Sequence, residues 1–460
     1  MTTDRRQFLK HAGAAGAAAT ALGTRLAAQG PAKPVAKKTL KVGFVGVGVK
    51  GSSHVGTLLR LEGVDLRAVC DVREIQCKEA QEQAKRLGKK PPTVYARGDR
   101  DFERMCAEED LDLVYTATPW RWHVPVCLAA MAHGKHAATE VPAALTVEEC
   151  WQLVEAFEKT GKHCSMMENV NYQRDELTIY NMVRRGVLGE LVHGVAGYLH
   201  DTRHLKMLDH ADGLWLGDEH ATRNGNLYPT HGFGPLAWYL NVNRGDRVDY
   251  LVSMSTKARG LDLYAAEHMP VDHPKRKRKY VNGDVNTCLI RTVNGATVTL
   301  THDTDLPRPY SRVNHVQGTK GLVTGFPFQV SLEAGNPHPS WEPGEKHRAK
   351  HESALWTQGV ALQKKLPRTD KDYGPILPGA TWAYDPPNEF KGGDFLEDYR
   401  LVEAHLAGTA PDFDVYDAAT WSLLAPLSEK SVADRSRPVD CPDFTRGKWK
   451  TTPPVVIGGV

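Results

Sequence analysis

The run Tyr228-Pro229-Thr230-His231 joins two side chains that can move protons. A histidine can act as a base near neutral pH. Tyr228 lies three residues before His231, so one turn of chain would bring both groups to the same ligand. Tyr and His beside Pro and Gly in a loop are commonly structural, so the case for chemistry depends on the surrounding sequence.

A second constellation is the G-x-G-x-x-G run from Gly46 to Gly51, between a predicted strand and a predicted helix. Such glycines let the backbone approach a pyrophosphate at a helix N-terminus. Asp71 ends the next predicted strand, where a carboxylate can hold both ribose hydroxyls and repel a 2′-phosphate. We therefore predict NAD as the cofactor, with NADP left open by the nearby Arg73. The residues predicted to hold it here are Gly46, Gly48, Val49, Lys50, Gly51 and Asp71.

The elements that must position these residues follow an alternating pattern up to residue 168, as in a parallel sheet with helices. The predicted strands are Leu40–Val45, Val64–Cys70, one closed by Tyr95, Leu111–Ala117, His136–Thr139 and Cys164–Glu168, with helices at 102–108, 124–133 and 147–160. Further on, the predicted helices are 175–185, 231–240, 394–407 and 416–432, and the predicted strands are 189–198, 248–257, 285–292 and 297–303. Residues 293–296 predict a hairpin.

These patterns predict an α/β fold with two domains. Residues 39–168 form an N-terminal Rossmann dinucleotide-binding domain. Residues 169–460 form a C-terminal α/β domain with an open, mainly antiparallel sheet, including an irregular excursion over 334–395 that is rich in Pro, Gly, His and Trp. Exposed faces of such sheets often pair, so we expect a homo-oligomer.

Two further motifs follow the fourth and fifth predicted strands, at the sheet edge where α/β proteins bind ligands. The first contains Trp120, Arg121, Trp122 and His123, and the second contains Glu140 and Val141, and we predict that all six contact the cofactor. The two tryptophans are expected to wall the nicotinamide pocket, with packing as the alternative.

The N-terminus resembles a twin-arginine signal over residues 1–30, with Arg5-Arg6, an apolar stretch over 12–22 and Ala27-Ala28 suited to cleavage. A Pro/Lys linker over 31–38 follows. We expect a periplasmic or secreted protein that folds around its cofactor before export and returns it to its starting redox state in each turnover. No other apolar stretch approaches the roughly 20 residues of a bilayer span.

The net charge of +3 argues against a nucleic-acid partner, and the basic run at 275–279 is expected to be a solvated loop. Eight cysteines without a C-x-x-C pair indicate core thiols and no disulfide framework. No H-x-x-x-H or H-E-x-x-H spacing falls on a predicted helix, so we expect no metal site.

The order of these motifs resembles the glucose–fructose oxidoreductase/inositol dehydrogenase superfamily. Most members carry Glu-Lys-Pro at the second motif, with a lysine that takes part in proton transfer, whereas this chain has Val141. The middle of the chain narrows the resemblance to glycoside hydrolase family 109, typified by NAD-dependent α-N-acetylgalactosaminidases. The segments that carry it are 120–123, 140–142, 166–175, 189–201, 223–232, 243–247 and 255–261, with the Tyr-Pro-Thr-His block the most specific.

The resemblance implies hydrolysis by transient oxidation at C3 of the sugar, elimination across C1 and C2, water addition and re-reduction. It assigns His231 and Tyr228 to the sugar site, Tyr172 to proton transfer, and Glu140 to the nicotinamide ribose and the C3 hydroxyl. Asn169 matches a cofactor-contacting position. Tyr198, Pro229, Thr230 and Tyr310 join Tyr228 and His231 as predicted sugar-binding residues.

Two positions depart from the family pattern. Leu216 stands where members tend to carry a substrate-contacting Arg, so the sugar, its N-acetyl group or its aglycone can differ from N-acetylgalactosamine. Lys50 stands where many relatives have Arg, which is a smaller change because the positive charge is kept. The alternatives are a periplasmic NAD(P)-dependent sugar oxidoreductase, against which Val141 counts, and a non-catalytic scaffold that keeps NAD as a structural element.

Overall fold

The computed structural model describes residues 39–333, 335, 338–366 and 392–458. The predicted leader over 1–30 and the linker over 31–38 lie outside the described residues. Within these ranges, no helix is long and apolar enough to cross a membrane. All eight cysteines are buried and free, which confirms the prediction of core thiols.

Six parallel strands form the first sheet, in the spatial order β3-β2-β1-β4-β5-β6. They are β1 (Leu40–Val45), β2 (Val64–Cys70), β3 (Thr93–Tyr95), β4 (Leu113–Thr116), β5 (His136–Thr139) and β6 (Cys164–Met166). The intervening helices are α1 (Val49–Arg60), α2 (Glu74–Arg86), α3 (Asp101–Glu108), α4 (His123–Ala132) and α5 (Val147–Thr160). This strand order creates a ligand crevice at the carboxyl ends of β1 and β4, and the predicted Rossmann fold is confirmed.

The second sheet has nine strands in the order β14-β13-β12-β11-β7-β10-β9-β8-β15, antiparallel except for the parallel pair β7–β10. They are β7 (Leu191–Leu199), β8 (Val248–Ser255), β9 (Asn286–Thr292), β10 (Thr297–Asp303), β11 (His315–Gly318), β12 (Gly321–Gly325), β13 (Phe328–Leu332), β14 (Glu342–Pro343) and β15 (Val439–Asp440). The predicted open, mainly antiparallel sheet is therefore confirmed. The predicted hairpin joins β9 to β10.

The helices of this domain are α6 (Arg174–Arg184), α7 (Arg203–Met207), α8 (Leu216–Thr222), α9 (Thr230–Tyr239), α10 (Gly260–His268), α11 (Pro274–Lys277), α12 (Glu345–His351), α13 (Ala354–Gln363), α14 (Gly392–Ala407) and α15 (Val415–Ala433). Of these, α6, α9 and α15 pack against the second sheet and cover one of its faces. Leu251, Ile290 and Leu300 are buried on the covered face. On the open face, Met254 is 66% exposed and Leu289 is 55% exposed.

Two predictions from composition are wrong. Residues 345–363 of the expected irregular excursion form α12 and α13, because this stretch has no proline and only one glycine. Arg348 of α12 also lies 2.6 Å from Asp175 of α6. In the basic run, Lys275 is buried and donates to the carbonyl oxygen of Gly213 at 2.8 Å, so it braces the chain before α8 instead of lying in a solvated loop.

Candidate active site

The glycine turn between β1 and α1 has the backbone that a bound pyrophosphate requires. Gly46 has a φ of 81°, and a Cβ there would lie 2.8 Å from the backbone of Ala117. A Cβ at Gly51 would lie 1.9 Å from the carbonyl oxygen of Gly46. Only glycine fits these two positions, and the turn leads directly into the N-terminus of α1, where Val49 and Lys50 begin the helix.

Asp71 lies at the end of β2, beside this turn. Its carboxylate accepts hydrogen bonds from the backbone N–H of Val47 at 3.0 Å and of Arg73 at 2.9 Å. The Arg73 Nε lies 3.8 Å from the same carboxylate. The predicted ribose-binding residue is therefore in the expected place and also holds the turn in shape.

Glu140 and Asn169 meet Lys50 on the other side of the crevice. Lys50 Nζ lies 3.0 Å from Asp394 and 3.5 Å from Glu140. The Asn169 amide donates to Asp394, while its Oδ1 is buried and accepts no hydrogen bond among the described residues. An orphaned acceptor at this position fits an N–H or O–H of a dinucleotide, so the residues present suit the predicted cofactor.

The residues of the Trp120–His123 motif contact different parts of the protein. Trp120 is nearly buried and faces the aromatic site described below, whereas Trp122 packs edge-on against Phe102 and Arg121 is exposed. His123 has Nδ1 2.7 Å from the Pro142 carbonyl and Nε2 2.8 Å from the Thr118 carbonyl. Both ring nitrogens are thus engaged by backbone, so His123 braces the ends of β4 and β5, and its predicted contact with the cofactor stays a prediction.

The predicted sugar-binding residues form one aromatic cluster. Tyr228 packs against Trp120 with ring centroids 5.5 Å apart, against Tyr198 at 4.9 Å and against His231 at 4.8 Å. Tyr198 lies 5.1 Å from the His231 ring and 6.3 Å from Tyr310. Aromatic faces beside polar hydrogen-bonding groups are suited to a sugar ring, which has apolar C–H faces and hydroxyls at its edge.

His231 is the second residue of α9, with Pro229 directly before the helix and Thr230 at its first position. Its Nδ1 lies 2.6 Å from Oε1 of Glu168, and its side chain is 13% exposed. Glu168 is fully buried and follows β6. The carboxylate fixes the orientation of the ring, so that Nε2 remains to exchange a proton with a ligand.

The Tyr310 end of the cluster is supported by Arg312. This buried guanidinium donates to the Tyr310 hydroxyl at 2.5 Å, to Gln173 at 2.8 Å and to Glu176. The Tyr198 hydroxyl lies 3.0 Å from Nδ1 of His200. Both tyrosines therefore have fixed orientations, as a pre-organised binding site requires.

Tyr172 has a different environment from the other predicted catalytic residues. It is 2% exposed, its ring packs edge-on against Trp238 and Phe413, and its hydroxyl donates to Asp412 at 2.7 Å. Burial and the Asp412 carboxylate raise the pKa of Tyr172 well above its usual value. This environment favours a structural role for Tyr172 over the predicted proton transfer, because the hydroxyl is already bonded to a carboxylate in the core.

Leu216 begins α8, directly after Trp215, whose ring lies 5.1 Å from Trp120. The departure from the family pattern is thus beside the aromatic cluster. The sequence did not single out Trp215, Glu168, Arg312 or His54 as site residues. Glu168 was within reach of sequence reasoning, because it lies in the quoted 166–175 segment.

Comparisons with known proteins agree with this geometry. A profile of the glycosyl hydrolase 109 C-terminal domain matches residues 172–373 and 387–451, and a profile of the oxidoreductase family NAD-binding Rossmann fold matches residues 40–168. A glycosyl hydrolase family 109 protein of Shewanella baltica (strain OS155 / ATCC BAA-1091) is 44% identical over 99% of both chains. Glycosyl hydrolase family 109 protein 1 of Shewanella sp. (strain MR-4) is also 44% identical over 99% of both chains.

Solved structures with the same fold include a levoglucosan dehydrogenase in complex with NADH and L-sorbose. It has a TM-score of 0.60 at 18% identity and covers 88% of this chain and 100% of its own. A scyllo-inositol dehydrogenase from Lactobacillus casei has a TM-score of 0.59 at 14% identity, with 88% and 99% covered. The predicted family is confirmed: the chain belongs to glycosyl hydrolase family 109 and is a sugar-modifying enzyme that depends on a nicotinamide dinucleotide.

Proposed function

We propose that this protein hydrolyses α-N-acetylgalactosaminides or a related glycoside by oxidation at C3, elimination, water addition and re-reduction. The observation that carries the proposal is the pairing of His231 with Glu168 at 2.6 Å within the cluster formed by Tyr228, Tyr198 and Trp120. This arrangement is a positioned base inside a sugar-sized aromatic site.

NAD supplies, when bound, a hydride acceptor for C3 of the sugar and later the hydride donor that restores it. Residues 46–51 and Asp71 would hold its pyrophosphate and ribose, and Asn169 and Glu140 would contact its nicotinamide end. Asp71 supports NAD over NADP, because its carboxylate would repel a 2′-phosphate.

The chain's own residues would carry the proton transfers. As C3 is oxidised, its hydroxyl proton passes to Nε2 of His231 and on to solvent. The ketone at C3 acidifies the C2 hydrogen, and Nε2 takes that proton while the bond from C1 to the aglycone oxygen breaks. The oxygen leaves with the bonding electrons and takes a proton from solvent. Tyr228, one turn before His231, donates a hydrogen bond to the departing oxygen or to the C3 oxygen. Water then adds at C1, and His231 returns its proton to C2.

Nucleophilic displacement with paired carboxylates is less well supported. Such a mechanism requires two carboxyl groups on either side of the glycosidic bond. Glu168 is fully buried behind His231 and Glu140 is bonded to His54, so each carboxylate already has a supporting contact.

The decisive test uses purified protein, an aryl α-N-acetylgalactosaminide and no added NAD. We expect release of the aryl group, together with about one NAD per chain recovered after denaturation. Accumulation of a keto-sugar in amounts equal to reduced cofactor would instead support a sugar oxidoreductase. Absence of both products, with NAD present, would mean that another sugar is the substrate.

We also propose that the protein is exported and forms homo-oligomers. The twin-arginine leader supports export, which N-terminal sequencing of periplasmic protein would test. Met254 and Leu289 lie on the open face of the second sheet and support self-association there. A Leu289→Lys variant that keeps the wild-type mass in light scattering would contradict pairing through this face.

A further inference from the structure

A cluster of buried charges lies behind Glu140, where α1 and α14 pack together. His54 of α1 is 1% exposed, and its ring is between two carboxylates. Its Nε2 lies 2.8 Å from Oε1 of Glu140, and its Nδ1 lies 2.9 Å from both oxygens of Asp398. The chain thus contains a carboxylate–imidazole–carboxylate line that ends at the predicted cofactor crevice.

Hydrogen-bond chemistry fixes the state of this ring. An ionised carboxylate only accepts hydrogen bonds, and a neutral imidazole carries only one N–H. When both carboxylates are ionised, satisfying Glu140 and Asp398 together requires both ring nitrogens to be protonated. Burial raises the pKa of Asp398, whereas the charge of His54 and its hydrogen bond lower it. We propose that His54 is a positioning residue, held as an imidazolium, that fixes Glu140 as an oriented and ionised hydrogen-bond acceptor toward the cofactor and the sugar.

The electrostatics of the two partners agree with this geometry. Burial favours the neutral ring of His54, but the Asp398 charge and the hydrogen bonds to Asp398 and Glu140 raise its pKa to about 9. Burial likewise opposes ionisation of Glu140, but the Lys50 charge and the His54 hydrogen bond lower its pKa to about 2. A carboxylate this acidic is a poor proton acceptor, so Glu140 orients hydroxyls and leaves proton removal to His231.

The geometry leaves one oxygen of Glu140 for a ligand. Oε1 faces His54 at 2.8 Å and Lys50 at 3.5 Å, whereas Oε2 accepts from the Val141 N–H at 3.2 Å. The side chain is 12% exposed. A carboxylate oxygen has room for a second donor, and a ribose or sugar hydroxyl is the donor that this crevice would supply.

Glu397 is the remaining member of the cluster, and its position raises the possibility that the cluster holds a metal ion. Both of its oxygens are buried without a hydrogen-bond partner among the described residues, and Oε1 lies 4.0 Å from His54 Nε2. Burial and the Glu140 charge raise the pKa of Glu397 well above its usual value. A metal ion held by His54, Glu397 and Asp398 would need a ring nitrogen of His54 without its proton, so the two arrangements exclude each other.

The test does not require activity. In protein labelled with ¹⁵N at histidine rings, the His54 signal is assigned by its loss in His54→Gln. We expect both of its nitrogens to report an imidazolium at about pH 7. A neutral ring, or a stoichiometric metal ion that is present in the wild type and lost in His54→Gln, would overturn the proposal.

A second experiment, which rests on the proposed function, measures activity to distinguish a positioning role of His54 from a purely structural one. The titratable groups facing His54 are Lys50, Tyr115, Glu140, Asp394, Glu397 and Asp398. Without the imidazolium, Glu140 loses the hydrogen bond that orients it, so we expect kcat to fall about tenfold or more in His54→Gln while the fraction of folded protein stays unchanged. Asp398→Asn keeps an acceptor for Nδ1 and should give a smaller loss of kcat.

A matched control is His220→Gln, which breaks another buried histidine–carboxylate pair, 2.8 Å from His220 Nδ1 to Asp305. It should lower the melting temperature without lowering kcat. A kcat that stays at the wild-type value in His54→Gln, despite a lower melting temperature, would reduce His54 to a structural residue. If the wild type releases no sugar, the proposed function fails. The ring nitrogen signals, measured in protein that retains NAD, still decide whether His54 is charged.

Discussion

Nδ1 of His231 lies 2.6 Å from Oε1 of Glu168, a carboxylate that is fully buried at the end of β6. The pair joins the first sheet to the N-terminus of α9 and therefore connects the cofactor crevice with the aromatic cluster. A carboxylate in this position selects the tautomer with a proton on Nδ1 and keeps Nε2 available as a base.

Replacing the base should stop turnover without releasing the cofactor. In His231→Asn we expect kcat to fall by about 10²- to 10⁴-fold, the usual contribution of general acid–base catalysis. NAD recovered per chain should equal that of the wild type. His133→Asn, at an exposed histidine that ends α4, is the control and should keep full activity. Comparable turnover in both variants would remove His231 from the chemistry.

Glu168→Gln keeps an acceptor near His231 but removes the charge. We expect kcat to fall at least about tenfold, because the amide can also present its N–H₂ group and turn the ring. KM should change little, since Glu168 lies behind His231 and does not face the sugar. Steady-state kinetics measure this split, and an effect on KM alone would contradict it.

Tyr172→Phe distinguishes a structural hydroxyl from a catalytic one. Asp412 keeps two hydrogen bonds from Arg400, at 2.8 and 2.7 Å, so the loss in the free energy of unfolding should be about 1 kcal/mol. We expect kcat/KM to stay within about threefold of the wild type, whereas Tyr228→Phe should lower it about tenfold or more. Equal losses in the two variants would restore Tyr172 as a proton-transfer residue.

Leu216 tests what limits the choice of sugar. An arginine at this position, beside Trp215 and Trp120, would add a charged donor to the aromatic cluster. We expect Leu216→Arg to raise kcat/KM for an α-N-acetylgalactosaminide about tenfold, since a charge-assisted hydrogen bond contributes about 1.5–3 kcal/mol. Leu214→Arg, at an exposed leucine of the same segment, is the control. A decrease in Leu216→Arg would mean that the natural substrate requires an apolar neighbour there.

The raised pKa of His54 predicts how stability depends on pH. A histidine whose pKa is higher in the folded protein contributes stability that is fully present below its unfolded value and is lost as pH rises through about 9. Denaturant titrations at about pH 6.5 and 9.5 should therefore show a larger decline in the wild type than in His54→Gln. Equal declines would contradict a charged His54.

Short sequence patterns were sufficient to predict where part of this site lies. The strand–glycine turn–helix unit and the Tyr228–His231 run are contiguous in sequence, so their chemistry could be predicted from residue types. The His231–Glu168 and His54–Asp398 pairs could not, because each joins elements that are distant in sequence and meet only through packing. The environment of Tyr172 could not be predicted for the same reason, since its partner Asp412 lies on a later segment. Composition also gave no sign of α12 and α13, and α12 is held against α6 by the pairing of Arg348 with Asp175.

The central claim is that this enzyme breaks a glycosidic bond by removing the C2 hydrogen of a transiently oxidised sugar. The most direct test is turnover of an aryl α-N-acetylgalactosaminide in D₂O without added NAD, followed by NMR of the released sugar. We predict deuterium at C2 in the product, because the base exchanges its proton with solvent before returning it. Release of a sugar that keeps its original C2 hydrogen would contradict the account and indicate direct displacement at C1.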